Sequence, residues 1–400
     1  PFTIEYFFYY FINNNYIKLF IFFLISFFLL TPILIIFFQG LYSINNVNEL
    51  YAPRYIFGSS KLIFLVSLVV LLISIPLAWV NTMTNFWGRK FIQIFCILPL
   101  GVPAFISAYA YAEILEPGGY LSIYFSSFYG FSIRNTFFAS IILGLSLFPY
   151  VYLLTRIAII NFSARFIEAA KTMGKSPWQC FFKICLPMAI PGIAAGLALA
   201  LMETINDFGV ADFFGLQTLT IGVFQYISVI NDLPSAFSLS LIILIIMLLL
   251  YIFEQKMRGD KQFNNSSYES IQWSRYQLSK GKTILVFSLS FLPIFFGFFV
   301  PLLFNFLIFI NNYQIIDYSN YFSSLYNSII LGSLVGFFCI LVSIFINFYS
   351  RFSRNKKFLY YKKIINLGYA VPGVVIALGV LIFIKYINQF SYFTILATLI

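Results

Sequence analysis

Apolar runs of 18 or more residues recur along the whole chain and limit what it can fold into. Each run is long enough to cross the roughly 30 Å hydrocarbon core of a bilayer as a helix. The runs do not alternate in hydropathy, as the strands of a membrane β-barrel would. We therefore expect an all-α polytopic membrane protein. The expected spans are 18–39, 62–81, 91–112, 137–160, 187–208, 236–253, 283–310, 324–349 and 365–386, with a tenth from about residue 391.

The charged residues predict an orientation. Only 9% of the residues are charged, whereas soluble domains carry about 25%. If the first span runs outward, 20 of the 24 Lys and Arg residues fall in cytoplasmic segments, and Arg54, Lys61, Arg134 and Lys385 do not. This asymmetry predicts a cytoplasmic N-terminus. It also assigns the net charge of +11 to the membrane surface, so that lipid, and no nucleic acid, is the expected partner.

Residues suited to metal binding or catalysis are scarce. Histidine is absent, which excludes imidazole ligands and histidine acid–base catalysis. The four cysteines, Cys96, Cys180, Cys185 and Cys339, lie in expected spans or on the cytoplasmic side, in no metal-binding or disulfide spacing. We expect no metal site, no cofactor and no catalytic residues.

A weak internal repeat divides the chain. At an offset of 269 residues Pro32 falls on Pro301, and Val102-Pro103 falls on Val371-Pro372. Internal repeats are a common way to build transporters around a central path. The expected organisation is an N-terminal cytoplasmic segment 1–17, a first transmembrane unit 18–253, a solvated cytoplasmic linker 254–282, and a second, incomplete transmembrane unit 283–400.

One polar stretch, EAAKTMGKSPWQCFFKICLP at 168–187, interrupts the apolar runs. Glu168 to Met173 predicts a helix that a left-handed Gly174 ends. The segment S-x-x-Q from Ser176 to Gln179 predicts a capping box, with a proline at the first position of a second short helix. Pro187 is expected to mark the return to the membrane. The alternative is an amphipathic loop on the bilayer surface.

The same stretch resembles the EAA motif of importer-type ABC transporter permeases. The matching residues are Glu168, Ala169, Ala170, Gly174, Leu186 and Pro187. The resemblance implies that this loop (161–187) docks its helices into a cleft on a cytosolic ATPase dimer, whose closure rocks the spans. It further implies a bacterial inner-membrane location and an extracytoplasmic substrate-binding protein that delivers the substrate.

Three further segments resemble the ferric-iron subgroup, whose permeases fuse two such units in one chain. They are PLGVPAFISAYAYAEIL (99–115), SLFPYVYLLTRIAI (146–159) and the stretch 197–226. Thiamine, phosphonate and polyamine permeases are the alternatives within the class. An ion-coupled secondary transporter is an alternative outside it, although such a transporter needs no docking hairpin.

The chain lacks a nucleotide-binding loop of its own. GKS at 174–176 and GKT at 281–283 resemble the tail of G-x-x-x-x-G-K-[ST], but Ala169 and Tyr276 occupy the positions of the first glycine. We therefore expect a transport subunit that is not itself an enzyme, with ATP hydrolysis in a partner chain.

Five residues are candidates for a translocation path. Glu203, Asn206 and Asp207 share one helical face by their spacing. Acids inside a membrane span are costly unless they face a cavity or a partner. Together with Tyr109 and Tyr111 they offer the hard oxygen atoms that ferric ion favours. The alternative is that the acids form helix–helix hydrogen bonds that stabilise the fold.

Overall fold

The computed structural model describes residues 15–44, 52–121, 132–258, 275–315, 317–352 and 371–399. The expected segment 1–17 and most of the linker therefore lie outside the described residues. The described elements are almost all helical. They are α1 Asn15–Tyr42, α2 Ala52–Met83, β1 Thr84–Asn85, α3 Arg89–Phe95, α4 Ala104–Leu115, α5 Thr136–Ala158, α6 Ala164–Thr172, α7 Pro177–Cys180, α8 Leu186–Asn206, α9 Gly209–Phe213, α10 Leu219–Ser228, α11 Leu233–Arg258, β2 Tyr276–Gln277, α12 Lys280–Ile294, α13 Val300–Asn312, α14 Tyr318–Phe352 and α15 Gly373–Leu399.

Within the described residues, 7 helices are long and apolar enough to cross a membrane. The fold class is therefore that of an all-α polytopic membrane protein, as the apolar runs predict. The expected span 91–112 is wrong as a single straight helix. The segments Arg89–Gly101 and Ala104–Leu115 meet at 91°. Pro99 and Pro103 flank the bend, and proline cannot continue the hydrogen bonds of a straight helix.

Two other boundaries differ from the expected ones. The second helix of the polar stretch does not end before Pro187, because α7 continues through a π turn, Phe181–Cys185, into α8. The wider π turn accommodates Pro187, because proline has no N–H to donate to the preceding turn of a helix. At the C-terminal side, α15 is one helix through Leu399, so no break separates a ninth span from a tenth within 373–399.

The chain forms two compact units, and the larger comprises Ser43–Ile308. Its core is the packing of α2, α5 and α8. Ser74 Oγ of α2 donates to the Phe148 carbonyl of α5 at 2.8 Å. Gly144 of α5 lies against the Val69 side chain, and a Cβ there would come within 2.4 Å of it. The paired residues are 74 apart in sequence at Ser74 and Phe148 (148 − 74) and 75 apart at Val69 and Gly144 (144 − 69), and this nearly constant separation shows that α2 and α5 run parallel.

Between α8 and α11 the chain forms the short helices α9 and α10 instead of a plain loop. Two hydrogen bonds attach this segment to α2. The Leu219 N–H donates to Ser59 Oγ at 2.8 Å, and the Tyr55 hydroxyl donates to Gln225 Oε1 at 2.7 Å. The segment therefore closes the end of the bundle where α2 begins.

Helix α12 and the part of α13 up to Ile308 belong to this larger unit as well. The Tyr111 hydroxyl donates to the Phe296 carbonyl at 2.5 Å, and Asn305 Nδ2 approaches the Ile106 carbonyl at 3.4 Å. These helices precede all other spans of the expected second repeat, yet they pack on α4 of the first.

The smaller unit comprises Pro1–Tyr42 and Phe309–Ile400. In it α1 packs on α15, where Gly379 lies against the Pro32 backbone, and Gln39 Nε2 donates to the Tyr386 hydroxyl at 3.2 Å. Helix α1 begins the first sequence repeat but belongs to the smaller unit. Helix α12 begins the second repeat but belongs to the larger unit. The boundaries of the two expected transmembrane units remain predictions about the sequence repeat.

Candidate coupling hairpin and translocation cavity

The hairpin, defined as residues 164–185, turns at Gly174. This glycine has φ +74°, the left-handed conformation, and its N–H donates to the Lys171 carbonyl at 2.9 Å. The N–H of Lys175 donates to the Ala170 carbonyl at 3.0 Å. These two bonds form a Schellman motif, which satisfies carbonyls at the end of α6. The left-handed glycine expected from the sequence is confirmed.

The second half of the turn is a capping box. Ser176 Oγ accepts the Gln179 N–H at 3.3 Å, and Gln179 Oε1 accepts the Ser176 N–H at 3.1 Å. Pro177 stands at the first position of α7, where its missing N–H costs nothing. The capping box expected from the sequence is confirmed, and the direction of the chain between α6 and α7 is fixed by local hydrogen bonds.

One face of the hairpin is buried against the bundle. Ile167, Ala170 and Cys180 are buried. The Phe181 ring lies 5.1 Å from the Trp79 ring of α2, centroid to centroid. The hairpin is therefore anchored to the end of α2 by aromatic packing.

The opposite face exposes large apolar side chains. Met173 is 76% exposed and Trp178 is 69% exposed. Phe166 and Phe182 are exposed as well, and the rings of Trp178 and Phe182 stack at 6.0 Å. An exposed apolar patch of this kind typically marks a protein or membrane contact.

The residues that resemble the EAA motif differ in their burial. Ala169 and Pro187 are exposed, Glu168 and Leu186 are half-buried, and Ala170 is buried. Ala170 packs into the core of the unit.

The end of the linker contacts the hairpin, a contact that the sequence did not predict. Tyr276 of β2 pairs in parallel with Thr84 of β1, and the Lys171 ammonium lies 4.1 Å from the Tyr276 ring centroid. Burial lowers the pKa of Lys171, and the nearby Glu168 carboxylate opposes that shift. The expectation of a wholly solvated linker is wrong for residues 275–278, whose apolar side chains pack on the core.

A cavity of 320 Å³ lies at the other end of α8. Glu203 and Asn206 line it from α8 and Asp207 lines it from the residue after that helix, and the bend between Pro99 and Ala104 lines it from the facing side. Ser146 and Tyr150 of α5 complete the polar lining. The three residues predicted to share a helical face therefore meet in one cavity, although Asp207 lies just beyond the end of α8.

Two buried polar atoms of this cavity have no hydrogen-bond partner among the described residues. They are Asn206 Oδ1 and Ser146 Oγ. Buried polar groups are normally paired, and each unpaired atom costs about 1–3 kcal/mol. The cavity is therefore suited to a polar or hydrated occupant.

Asp207 has a structural task. Its carboxylate accepts the N–H of Val210 at 3.0 Å and that of Ala211 at 3.3 Å, at the start of α9. The alternative that an acid stabilises the fold therefore describes Asp207, although the residue also lines the cavity. Glu203 is half-buried on the same lining.

The two tyrosines are not part of this cavity lining. The Tyr111 hydroxyl is engaged with the Phe296 carbonyl, and the Tyr109 ring packs on Phe213 at 6.0 Å.

The sequence analysis missed Ser146 and Tyr150. The signal that could have found them is the PLGVP segment at 99–103, whose prolines predict a bent helix and therefore an opening opposite α5.

A second, cationic cleft of 520 Å³ lies where α2 and α5 begin, at the end of the bundle away from the hairpin. Arg54, Lys61 and Arg134 line it beside the loop 215–217. Arg134 also forms an ion pair with Glu116 at 2.6 Å. These are three of the four cations that the charge count assigns to the outer side.

Comparison with known proteins identifies the central part of the larger unit. Residues 71–259 match the family described as binding-protein-dependent transport system inner membrane component. The matched segment contains the hairpin, α8 and the whole cavity lining.

Three relatives from Haemophilus influenzae are similar to the chain. The molybdenum transport system permease protein ModB is 29% identical over 165 residues, which cover 39% of this chain and 71% of ModB. The Fe(3+)-transport system permease protein FbpB 2 is 25% identical over 311 residues, 76% of this chain and 58% of that protein. The spermidine/putrescine transport system permease protein PotB is 30% identical over 182 residues, 43% of this chain and 63% of PotB.

The chain therefore spans less than two thirds of FbpB 2 and of PotB. The names of the relatives include a ferric permease, a polyamine permease, a molybdenum permease and, in Escherichia coli, the sulfate transport system permease protein CysT. The relatives therefore differ in the substrate that their names give, and the similarity does not assign one substrate.

Proposed function

We propose that the chain is the membrane-spanning subunit of an ABC importer for a cationic substrate, most specifically ferric iron. A separate cytosolic ATPase dimer drives it through the hairpin, and an extracytoplasmic binding protein delivers the substrate. The N-terminus is cytoplasmic, and the chain carries one permease unit and the first part of a second.

The observation that carries this proposal is the continuous helix from hairpin to cavity. Helices α7 and α8 and the π turn between them run without a break from Pro177 to Asn206. Leu186 and Glu203 are about 26 Å apart along this helix, at 1.5 Å per residue. A movement of the hairpin is thereby passed to the cavity lining through one rigid element.

The exposed face of the hairpin supports an ATPase partner. Trp178 and Phe182 stack on that face, and Met173 extends beside the Gly174 turn. Aromatic residues and methionine are enriched where proteins bind each other. The chain itself lacks a nucleotide-binding loop, so the energy source belongs to the partner.

The acids of the cavity support a cationic substrate. A carboxylate in a low-dielectric passage attracts a cation and repels an oxyanion. Glu203 and Asp207 line the cavity, and no lysine or arginine of the described residues does. Ferric iron fits the hard oxygen ligands of the lining, and the longest match among the three relatives is with a Fe(3+) permease. A polyamine, which the name of PotB gives as its substrate, is the alternative cationic substrate.

An oxyanion is the second candidate cargo. The cationic cleft of Arg54, Lys61 and Arg134 favours it, because anions would collect there. We instead assign this cleft to the docking of an acidic surface of the binding protein, since the cleft opens at the bundle end away from the hairpin.

The tandem organisation is supported by the repeat and by the packing of α1 and α12. Each of these helices leads one sequence repeat and packs in the unit of the other.

The proposed orientation can be tested by thiol labelling. A cysteine at Asn231 in a cysteine-free chain should react with an impermeant thiol reagent from outside, and one at Lys175 should not. The reverse pattern would overturn the proposed orientation.

The test of function is uptake by proteoliposomes that contain the full-length permease with its ATPase and binding protein. We expect ATP-dependent uptake of ferric ion, with spermidine and molybdate transported at least 10-fold more slowly. Uptake of molybdate alone would overturn the cationic cargo and leave the importer class intact. Uptake of any cargo without the ATPase would overturn the class.

A further inference from the structure

The end of the linker, residues 275–278, is held at the end of α2 by backbone and side-chain contacts. Strand β2 pairs in parallel with β1, which places Gln277 beside Asn85. Asn85 Nδ2 donates to Gln277 Oε1 at 3.3 Å, and Arg275 Nε donates to the Thr82 carbonyl at 3.4 Å. Successive residues of the linker end are therefore fixed to the last turn of α2 and to β1.

The ring of Tyr276 contacts the hairpin. The Lys171 ammonium lies 4.1 Å from the ring centroid, within the roughly 6 Å over which a cation is attracted to an aromatic face. Lys171 lies in the last turn of α6, just before Gly174. The Tyr276 side chain also packs on the core of the unit. Tyr276 therefore holds the half of the hairpin before Gly174, whereas Trp79 holds the other half through Phe181.

The linker end continues almost directly into α12. Only two residues separate β2 from α12, and one of them, Leu278, packs on the core as well. Helix α12 is itself packed on the turn after β1, because a Cβ on Gly88 would lie 2.5 Å from the Phe287 ring. The Trp87 ring lies 5.4 Å from the same ring, centroid to centroid. A displacement of Tyr276 should therefore reach α12.

The other end of α12 lies against the bend of the cavity. A π turn, Phe295–Phe299, follows α12. A Cβ on its Gly297 would lie 2.8 Å from the Leu145 carbonyl and 3.4 Å from Pro99 Cγ. Pro99 lines the cavity, and Leu145 directly precedes Ser146 of the lining. Gly297 is about 26 Å from the start of α12 at 1.5 Å per residue. A second route, as long as the one through α8, therefore joins the hairpin to the opposite wall of the cavity.

We propose that the linker end is a second coupling element, which passes hairpin movement through α12 to the bend between Pro99 and Ala104. Tyr276 is its positioning residue, because its ring contacts α6. This role rests on the proposed function, in which the hairpin receives the movement of the ATPase. The α8 route ends on the wall that Glu203 and Asn206 form, and the α12 route ends on the wall that faces them. One stroke of the ATPase therefore displaces both walls.

The test compares two reporter cysteines in the full-length permease, reconstituted with its ATPase in proteoliposomes. Leu100→Cys reports on the bend and Asn206→Cys on the α8 wall, each in a cysteine-free chain and each in the cavity lining. The rate of maleimide labelling is measured with and without ATP and vanadate. Both rates should change with nucleotide in the parent chain. Tyr276→Ala should reduce the change at Leu100→Cys about fivefold, the effect expected for loss of a partly buried cation–π contact. It should leave the change at Asn206→Cys intact.

Matched variants separate this contact from general damage. Tyr276→Phe keeps the ring and should restore the response at Leu100→Cys. Lys171→Met removes the ammonium without a change in the linker, and it should reproduce the loss even where Tyr276→Ala does not fold. The double variant should lose no more than either single change, because the two side chains act as a pair. Tyr313→Ala, which changes an exposed tyrosine of the smaller unit, should leave both responses unchanged.

Three results would overturn the second route. One is an unchanged response at Leu100→Cys in Tyr276→Ala and in Lys171→Met. Another is an equal loss at both reporters, which would mean that Tyr276 only supports the fold of the hairpin. The third is an additive loss in the double variant, since the two side chains would then act independently. A parent chain in which neither cysteine responds to ATP would contradict the hairpin as the coupling element, and the second route would fail with it. The two failures are therefore recognised separately.

Discussion

The hairpin and the cavity treat their polar groups in opposite ways. At the hairpin turn four short-range hydrogen bonds pair the backbone ends of α6 and α7, and the outward side chains include the large apolar groups of Met173, Trp178 and Phe182. In the cavity Asn206 and Ser146 have buried oxygen atoms that find no hydrogen-bond partner in the described part of the chain. A surface with paired polar groups and exposed aromatic rings is suited to a protein partner. A lining with unpaired polar atoms is suited to a polar cargo that passes through.

The two regions are nevertheless joined by one helix. The α7–α8 element begins in the hairpin and ends at the cavity, with the π turn between them. Changes at the hairpin should therefore affect coupling to the ATPase, and changes at the cavity should affect only what is carried. The predictions below test this separation.

The largest effect is expected for Gly174→Val in the hairpin. Its positive φ costs a β-branched residue more than the roughly 1–2 kcal/mol typical of left-handed backbone. Among the residues that the structure describes, no atom lies within 4 Å of the position that a Cβ would take, so the strain is confined to the backbone. We expect ATP-driven uptake to fall at least 10-fold with normal membrane insertion. Gly174→Asn is the matched control and should retain most uptake, because asparagine adopts this conformation more readily. Wild-type uptake by the valine variant would contradict the rigid turn.

The next effect is expected for Glu203→Gln in the cavity. The amide keeps the shape of the side chain and removes the charge that a cation would be attracted to. Uptake of the cationic cargo should fall several-fold, with expression and assembly with the ATPase unchanged. Glu113→Gln serves as the control, because Glu113 is half-buried beside Tyr109 and outside the cavity lining. Equal loss in both variants would show a general effect of losing an acid.

Asp207→Ala should act on stability first. The carboxylate caps the start of α9 through Val210 and Ala211, and loss of such a cap costs about 1 kcal/mol. We expect a lower unfolding midpoint, which Asp207→Asn should largely restore because one oxygen remains to accept. If both variants unfold as the wild type does and yet lose uptake, Asp207 belongs to the path alone.

The smallest effect is expected for Ser176→Ala. It removes one bond of the capping box, worth about 1 kcal/mol at an exposed helix start. The Gly174 turn and Pro177 still set the chain direction, so uptake should fall less than twofold. A loss as large as that of Gly174→Val would mean that the cap, and not the left-handed turn, sets the hairpin angle.

The sequence predicts the hairpin better than the cavity for a physical reason. Gly174, Ser176 and Gln179 act on neighbours within five residues, so their hydrogen bonds follow from spacing alone. Ser146 and Tyr150 reach the cavity only because α3 and α4 meet at 91°. The face shared by Glu203 and Asn206 follows from helical period, but what lies opposite that face depends on packing. The π turn before Pro187 and the contact of Tyr276 with Lys171 likewise depend on tertiary structure.

The most direct test of the central claim is ATP hydrolysis stimulated by loaded binding protein, measured with uptake in the same proteoliposomes. The account predicts that Gly174→Val loses both stimulation and uptake, because the hairpin no longer passes movement between the partner and α8. It predicts that Glu203→Gln keeps the stimulation and loses uptake. Stimulation that survives in Gly174→Val together with full uptake would contradict the assignment of the hairpin as the coupling element.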